Sequence, residues 1–96
     1  MEKISTFEEL LQAKYGTRGS EKRDQFDRES IAFRLGEQLK AARKEAKLSQ
    51  EQLAERTGTK KSYISRIERG MSDIQFSTFF NLVEIGLQRR LLVEII

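Results

Sequence analysis

The apolar residues in the first half of the chain recur at the spacing of an α-helix. A first helix is expected from about Ser5 to Lys14, and Ser20 stands where an N-cap would open a longer one. We expect at least residues 31–47 to form one helix, whereas a break around Arg28–Ser30 or at Gly36 stays open. The apolar positions of this helix follow one another at spacings of three, four or five residues. They are Phe26, Ile31, Leu35, Leu39, Ala42 and Ala46.

Three shorter helical patterns follow. Ser49 is expected to cap the first of them, which Gly58 ends because glycine adopts a positive φ without strain. The second pattern extends over about residues 60–69. Ser77 is expected to cap the third, which ends at Gly86. Most of the chain is therefore predicted to be helical.

The tail has a different period. Leu91, Val93 and Ile95 alternate with the intervening residues, and the residue types favour β-structure. A single strand cannot satisfy its own hydrogen bonds, so a strand here needs a partner strand. Because no other stretch is strand-like, that partner would be a second copy or another protein. A helical extension or a frayed end is the alternative.

Composition and charge limit the classes of function that the chain can have. The chain has 96 residues and no histidine or cysteine, which argues against metal sites, cofactors and most enzymatic chemistry. No membrane-spanning run or signal peptide is evident, so a cytoplasmic protein is expected. The net charge of +3 arises in residues 36–76, which hold nine basic and six acidic side chains, while the flanking segments cancel.

The region of excess positive charge has the form of a helix-turn-helix. Ala54 is small where a second helix must cross, and Gly58 permits the tight turn. Ile64 and Ile67 are spaced to hold the second helix inward. Its opposite side would then face outward, and in this arrangement that side enters the major groove of DNA.

Four residues lie on the predicted outward side: Lys60, Lys61, Ser62 and Arg66. Lys and Arg donate hydrogen bonds to guanine acceptors, so these residues are candidates for contacts with base edges. Gln50 begins the preceding short helix and is a candidate for a phosphate contact. The alternative is that the lysines are merely solvated, as most lysines are.

These motifs resemble those of the lambda-repressor-like, Cro-type helix-turn-helix proteins, also called XRE. The resemblance covers about residues 35–86 and rests on Leu39, Arg43, LSQEQLA at 48–54, Gly58 and SYISRIERG at 62–70. It implies double-stranded operator DNA as partner, with Ser49 and Gln50 on phosphates and the four outward residues toward the bases. It also implies an ion pair between Arg43 and Glu68 that braces two helices. Tyr63 either contacts the sugar-phosphate backbone or covers the bundle.

The expected fold is all-α. It is a compact helical bundle containing the helix-turn-helix, with a long N-terminal helical arm and a short C-terminal β-strand. The expected division is an arm at residues 1–34, a DNA-binding domain at 35–86 and a strand at 87–96. Since one helix-turn-helix contacts only a half-site, a homodimer is expected, with Leu91, Val93 and Ile95 in its strand.

The flanking segments resemble a narrower group, the HigA-like antitoxins of HigB/RelE-type toxin–antitoxin pairs. Phe7, Tyr15-Gly16, Gly19-Ser20 and Phe26 carry this resemblance, with support from the tail. It implies a repressor of its own operon that also neutralises an mRNA-cleaving toxin. The candidate toxin contacts are Phe7, Leu10, Leu11, Tyr15 and Phe26.

Two alternatives to these toxin contacts and to the antitoxin role stay open. In the first, the apolar residues of the arm pack back on the bundle. In the second, the whole chain is a stand-alone regulator of phage-repressor or restriction-controller type, without a toxin.

Overall fold

The helix predicted from Ser20 is the longest element of the computed structural model, which describes residues 9–14, 16, 19–71 and 73–96. It extends unbroken over Glu21–Glu45, so Gly36 does not interrupt it. The Oγ atom of Ser20 accepts a hydrogen bond from the backbone N–H of Arg23 at 3.2 Å, which confirms the predicted cap. Lys47, with φ of 59°, takes the left-handed conformation that closes the helix end.

The remaining elements follow the predicted order. Residues 9–14 are helical and are called α1, and the predicted start of this helix at Ser5 lies outside the described residues. After α2 (Glu21–Glu45) come α3 (Gln50–Thr57), α4 (Lys61–Glu68) and α5 (Phe76–Phe80), which continues as a π-helix over Asn81–Gly86. The predicted all-α class is confirmed for the described residues. Of the helices they form, none combines the length and the apolarity needed to span a bilayer.

The core lies between the second half of α2 and the elements from α3 onward. Its buried members are Leu39, Leu53, Ala54, Ile64, Ile67, Phe79, Leu82 and Leu87. The predicted stripe on α2 is wrong at two positions. Ile31 exposes 51% of its surface while the adjacent Ala32 exposes 4%, and Ala46 is also exposed. At this point of α2 the small Ala32, and not the branched Ile31, faces the bundle.

The closest approach of two helices occurs at Gly36. A Cβ atom added there would overlap the backbone carbonyl oxygen of Ile67 and lie 3.2 Å from the backbone of Glu68. The glycine therefore lets α2 pass directly against the C-terminal end of α4. This contact sets the position of α4 relative to the long helix.

The last helix begins earlier than predicted. Gln75 is its N-cap residue, and Ser77 lies inside the helix. The expected cap at Ser77 is therefore wrong. The reason is that the backbone N–H of Gln75 donates to Oη of Tyr63 at 3.0 Å, which fixes the chain two residues ahead of the serine.

The predicted C-terminal strand is absent from the single chain. Residues 88–96 have no regular secondary structure. Arg89 Nη1 donates to Glu45 Oε2 at 3.1 Å, and the backbone N–H of Leu91 donates to Glu84 Oε2 at 2.9 Å. These contacts hold the start of the tail on the bundle. Beyond them, strand geometry would require a partner strand, which one chain does not supply.

Candidate nucleic-acid interface

Helix α3 begins with a reciprocal cap. Oγ of Ser49 accepts from the backbone N–H of Gln52 at 3.0 Å, and the backbone N–H of Ser49 donates to Oε1 of Gln52 at 2.8 Å. This capping box satisfies two amide groups that would otherwise lack partners. At the other end Gly58 has φ of 70°. The two ends fix the point at which the chain turns from α3 into α4.

Helix α4 separates an apolar side from a polar one. Ile64 and Ile67 are fully buried, as predicted. The four residues predicted to face outward are all exposed: Lys60, Lys61, Ser62 and Arg66. Lys60 is the N-cap residue and its side chain makes no capping bond. Three cations and a hydroxyl are therefore exposed together at the N-cap and on the polar side of α4, with Arg66 in the last turn of the helix.

This face continues into a shallow depression between α3 and α4. Its lining consists of Gln50, Lys61, Ser62, Ser65, Arg66 and Arg69. Gln50 thus shares a surface with the outward residues of α4, although it belongs to the preceding helix. Arg69 was not among the predicted site residues. It is the C-cap residue of α4 and follows Arg66 by three positions, a spacing that places the two side chains near each other.

Tyr63 connects this face to the segment after α4. It is half-buried, its Oη accepts the hydrogen bond from Gln75, and the Arg66 guanidinium lies 5.6 Å from its ring centroid. That distance permits a cation–π contact. Tyr63 therefore covers part of the bundle, which was one of its two expected roles. Its hydroxyl hydrogen remains available as a donor because the bond to Gln75 uses the oxygen.

The brace predicted between Arg43 and Glu68 is present. Nε of Arg43 donates to Oε2 of Glu68 at 2.7 Å, and Nη2 donates to Oε1 at 3.0 Å. Nη1 of Arg43 also donates to the carbonyl oxygen of Leu48 at 2.8 Å. Both side chains are buried. The bidentate pair joins α2 to the end of α4 and also holds the segment that leads into α3.

Hydrogen bonding, burial and charge together shift the pKa values of both groups. The hydrogen bond to Glu68 raises the pKa of Arg43 above its ordinary value, against an opposing effect of burial. Burial would raise the pKa of Glu68, but hydrogen bonds from Arg43 and Gln50, with the charges of Arg43 and Lys40, lower it below its ordinary value. Both groups are therefore held in their charged forms.

Gln50 takes part in the same network. Its Nε2 donates to Oε1 of Glu68 at 3.1 Å, and its side chain is half-buried. Gln50 was predicted to contact phosphate, and this bond to Glu68 was not predicted. No short-range pattern predicts a contact across 18 positions, because it depends on how α3 packs beside α4.

This geometry can be compared with known families. Residues 39–85 match a family model described as helix-turn-helix. Within this match, α3, the turn at Gly58 and α4 have the helix-turn-helix arrangement, and residues 39–85 are called the helix-turn-helix domain below. The match supports the XRE, lambda-repressor-like family and a DNA-binding regulator of that type. Neither the curated proteins nor the solved structures gave a significant match.

Outside the helix-turn-helix domain, the arm presents a mixed surface. Leu10 is 64% exposed, whereas Leu11 and Phe26 are half-buried. Phe7 and Tyr15, the other candidate toxin contacts, lie outside the described residues. Arg23 is almost fully buried and was not foreseen. It donates to Asp27 Oδ1 at 3.3 Å and to the carbonyl oxygen of Gly16 at 3.5 Å, which ties α2 to the segment before it.

Proposed function

We propose that the helix-turn-helix domain binds operator DNA with α4 in the major groove and represses transcription. The proposal rests on the difference between the two sides of α4, one apolar and buried, the other polar and exposed. Ile64 and Ile67 are fully buried, while Lys60, Lys61, Ser62 and Arg66 are exposed together. Packing of the bundle does not require cations at these exposed positions. In this proposal they donate to base edges, as Lys and Arg do to guanine.

Phosphate contacts would orient the domain on the duplex. Ser49, Gln50 and Tyr63 are assigned to them. The bonds that Ser49 and Tyr63 make inside the protein use their hydroxyl oxygens as acceptors. Each hydroxyl therefore retains a hydrogen that can be donated to a phosphate oxygen, which only accepts.

The active species is proposed to be a homodimer that pairs through the C-terminal tail. Leu92, Val93 and Ile95 each expose at least 70% of their surface. Leu91 is half-buried against the core and anchors the tail. Pairing of the two tails as strands would bring apolar side chains of the two copies into contact and satisfy the backbone groups along the paired edges. The two copies of α4 would then reach half-sites one helical turn apart.

Within this class, the chain is proposed to be the antitoxin of a HigB/RelE-like pair that represses its own operon. The exposed Leu10 on the arm, outside the helix-turn-helix domain, supports a protein partner there. The alternative is a stand-alone XRE-type regulator without a toxin. Geometry at α4 is compatible with both, since it concerns DNA alone.

DNA recognition is tested by fluorescence anisotropy with the duplex upstream of the chain's own gene and a scrambled duplex, at two salt concentrations. We expect a preference for the upstream duplex that persists at the higher salt concentration. Lys61→Ala and Arg66→Ala should each weaken specific binding by about 1–3 kcal/mol. Arg34→Ala, an exposed arginine on α2, is the matched control. Equal, salt-sensitive binding to both duplexes, or no binding, would contradict a sequence-specific repressor.

The antitoxin role is tested by co-expression with the protein encoded by the adjacent reading frame. If that protein arrests growth, the wild type and Arg66→Ala should both relieve the arrest, whereas Leu10→Glu should not. If Leu10→Glu also relieves the arrest, the arm does not form the contact with the toxin. An adjacent protein without toxicity would favour the stand-alone regulator.

A further inference from the structure

Gln50 and the buried brace share a single oxygen atom. Oε1 of Glu68 accepts from Nη2 of Arg43 at 3.0 Å and from Nε2 of Gln50 at 3.1 Å. Gln50 lies at the first position of α3 and also lines the depression that contains Lys61 and Arg66. One end of its amide thus meets the interior of the protein at the edge of the candidate DNA-binding face.

The chemistry of the carboxylate decides how this amide is oriented. An ionised carboxylate only accepts hydrogen bonds, so it selects the NH₂ group of Gln50 and rejects its carbonyl oxygen. The NH₂ group has two hydrogens, and Glu68 takes one of them. The second hydrogen remains on the same nitrogen. A phosphate oxygen also only accepts, so this hydrogen is the group that it requires.

Arg43 makes this arrangement compatible with DNA. A lone carboxylate near the backbone of a duplex would repel its phosphates. Arg43 neutralises Glu68 through the bidentate bonds at 2.7 and 3.0 Å. The carboxylate can therefore orient Gln50 without presenting an uncompensated negative charge to the nucleic acid.

We propose that Glu68 is a positioning residue for DNA binding: it holds the Gln50 amide so that one Nε2 hydrogen is directed to a backbone phosphate. This inference rests on the proposed function and deepens it. Glu68 does not itself touch DNA. It links the α2–α4 brace to the phosphate contact, so the protein interior sets the rotamer and the orientation of a surface amide.

The test is a double-mutant cycle with Gln50→Ala, Glu68→Gln and the double variant, titrated against the upstream duplex at a temperature where circular dichroism shows all of them folded. Glu68→Gln removes a negative charge, which by itself should strengthen binding to a polyanion. In Glu68→Gln the neutral amide no longer selects the NH₂ group of Gln50. We therefore expect about three- to tenfold weaker binding in the Gln50 background, the range of one hydrogen bond.

In the Gln50→Ala background, the same Glu68→Gln change should leave affinity unchanged or increase it. Glu55→Gln, an exposed carboxylate on α3, controls for net charge and should act equally in both backgrounds. Equal weakening by Glu68→Gln in both backgrounds would show that Glu68 acts only through the fold and would overturn the proposal. Failure of the wild type to prefer the upstream duplex would instead contradict the proposed function.

Nuclear magnetic resonance of the wild type gives a second readout that needs no variant. The side-chain Nε2 resonances of Gln50 are followed as the upstream duplex is added. We expect one proton to keep its bond to Glu68 and the other to shift on binding. If neither proton shifts, or if the bond to Glu68 is lost in the complex, the proposal is wrong.

Discussion

The contact between α2 and α4 buries its side chains, whereas the C-terminal tail exposes them. This contact, formed at Gly36 and by the Arg43–Glu68 pair, is called the α2–α4 joint. At the joint, Gly36 allows backbone contact and the Arg43–Glu68 pair is buried with its charges matched. In the tail, Leu92, Val93 and Ile95 lie in solvent on a chain without regular structure. The joint is complete within the described residues, whereas the tail leaves apolar side chains exposed, which a second copy covers in the proposed dimer. Stability and assembly should therefore respond to different substitutions.

Removal of one partner of the brace should have the largest effect. Glu68→Ala leaves Arg43 buried and unpaired, which costs about 3–5 kcal/mol of unfolding free energy. Urea denaturation followed by circular dichroism measures the loss. Glu55→Ala, an exposed carboxylate on α3, should change stability by no more than about 0.5 kcal/mol. A similar small effect at Glu68 would show that the joint does not depend on the pair.

Overpacking of the same joint should come next. Gly36→Ala places a methyl group against the carbonyl oxygen of Ile67, so α2 and α4 must move apart. We expect a loss of about 1–3 kcal/mol, the usual range for overpacking, although alanine has the higher helix propensity. Gln38→Ala on the exposed side of α2 is the control. If Gly36→Ala stabilises the protein, the close approach is not required.

Acid should remove the stabilisation that the Glu68 carboxylate gives to the joint. The folded pKa of Glu68 is lowered, so its charged form stabilises the fold above the pKa that this carboxyl has in the unfolded chain. That contribution is lost as the pH falls through the lower, folded pKa. Unfolding free energies of the wild type and Glu68→Gln should therefore differ at neutral pH and converge in acid. A difference that does not change with pH would contradict this assignment.

Deletion of the tail should have the smallest effect on stability, but it should lower the mass of the species in solution from dimer to monomer. Removal of residues 92–96 takes away exposed side chains, so the unfolding free energy should change by about 0.5 kcal/mol or less at a concentration where the protein is monomeric. The dimer expected from strand pairing should be lost in analytical ultracentrifugation. Leu10→Ala, on the arm, is the control for loss of an exposed leucine. A dimer that survives the deletion would place the interface elsewhere.

The sequence predicted the elements more completely than their contacts. Caps at Ser20 and Ser49, turns at Gly58, and the inward Ile64 and Ile67 depend on neighbours a few positions away, and all are present in the structure. Ile31 and Ser77 were misjudged because burial and the start of a helix were decided by packing. At Ser77, the deciding contact was that of Tyr63 with Gln75.

The candidate DNA-binding face shows the same division. Its residue types and their outward direction follow from the helical period and from the motif, so Lys60, Lys61, Ser62 and Arg66 were predictable. The bond from Gln50 to Glu68 joins two helices across 18 positions, and the buried Arg23 depends on the fold of the arm. Local periodicity determines which side of a helix faces inward. Only the packed tertiary structure decides which polar groups meet there, because hydrogen bonding requires specific distances between elements that are separated along the chain.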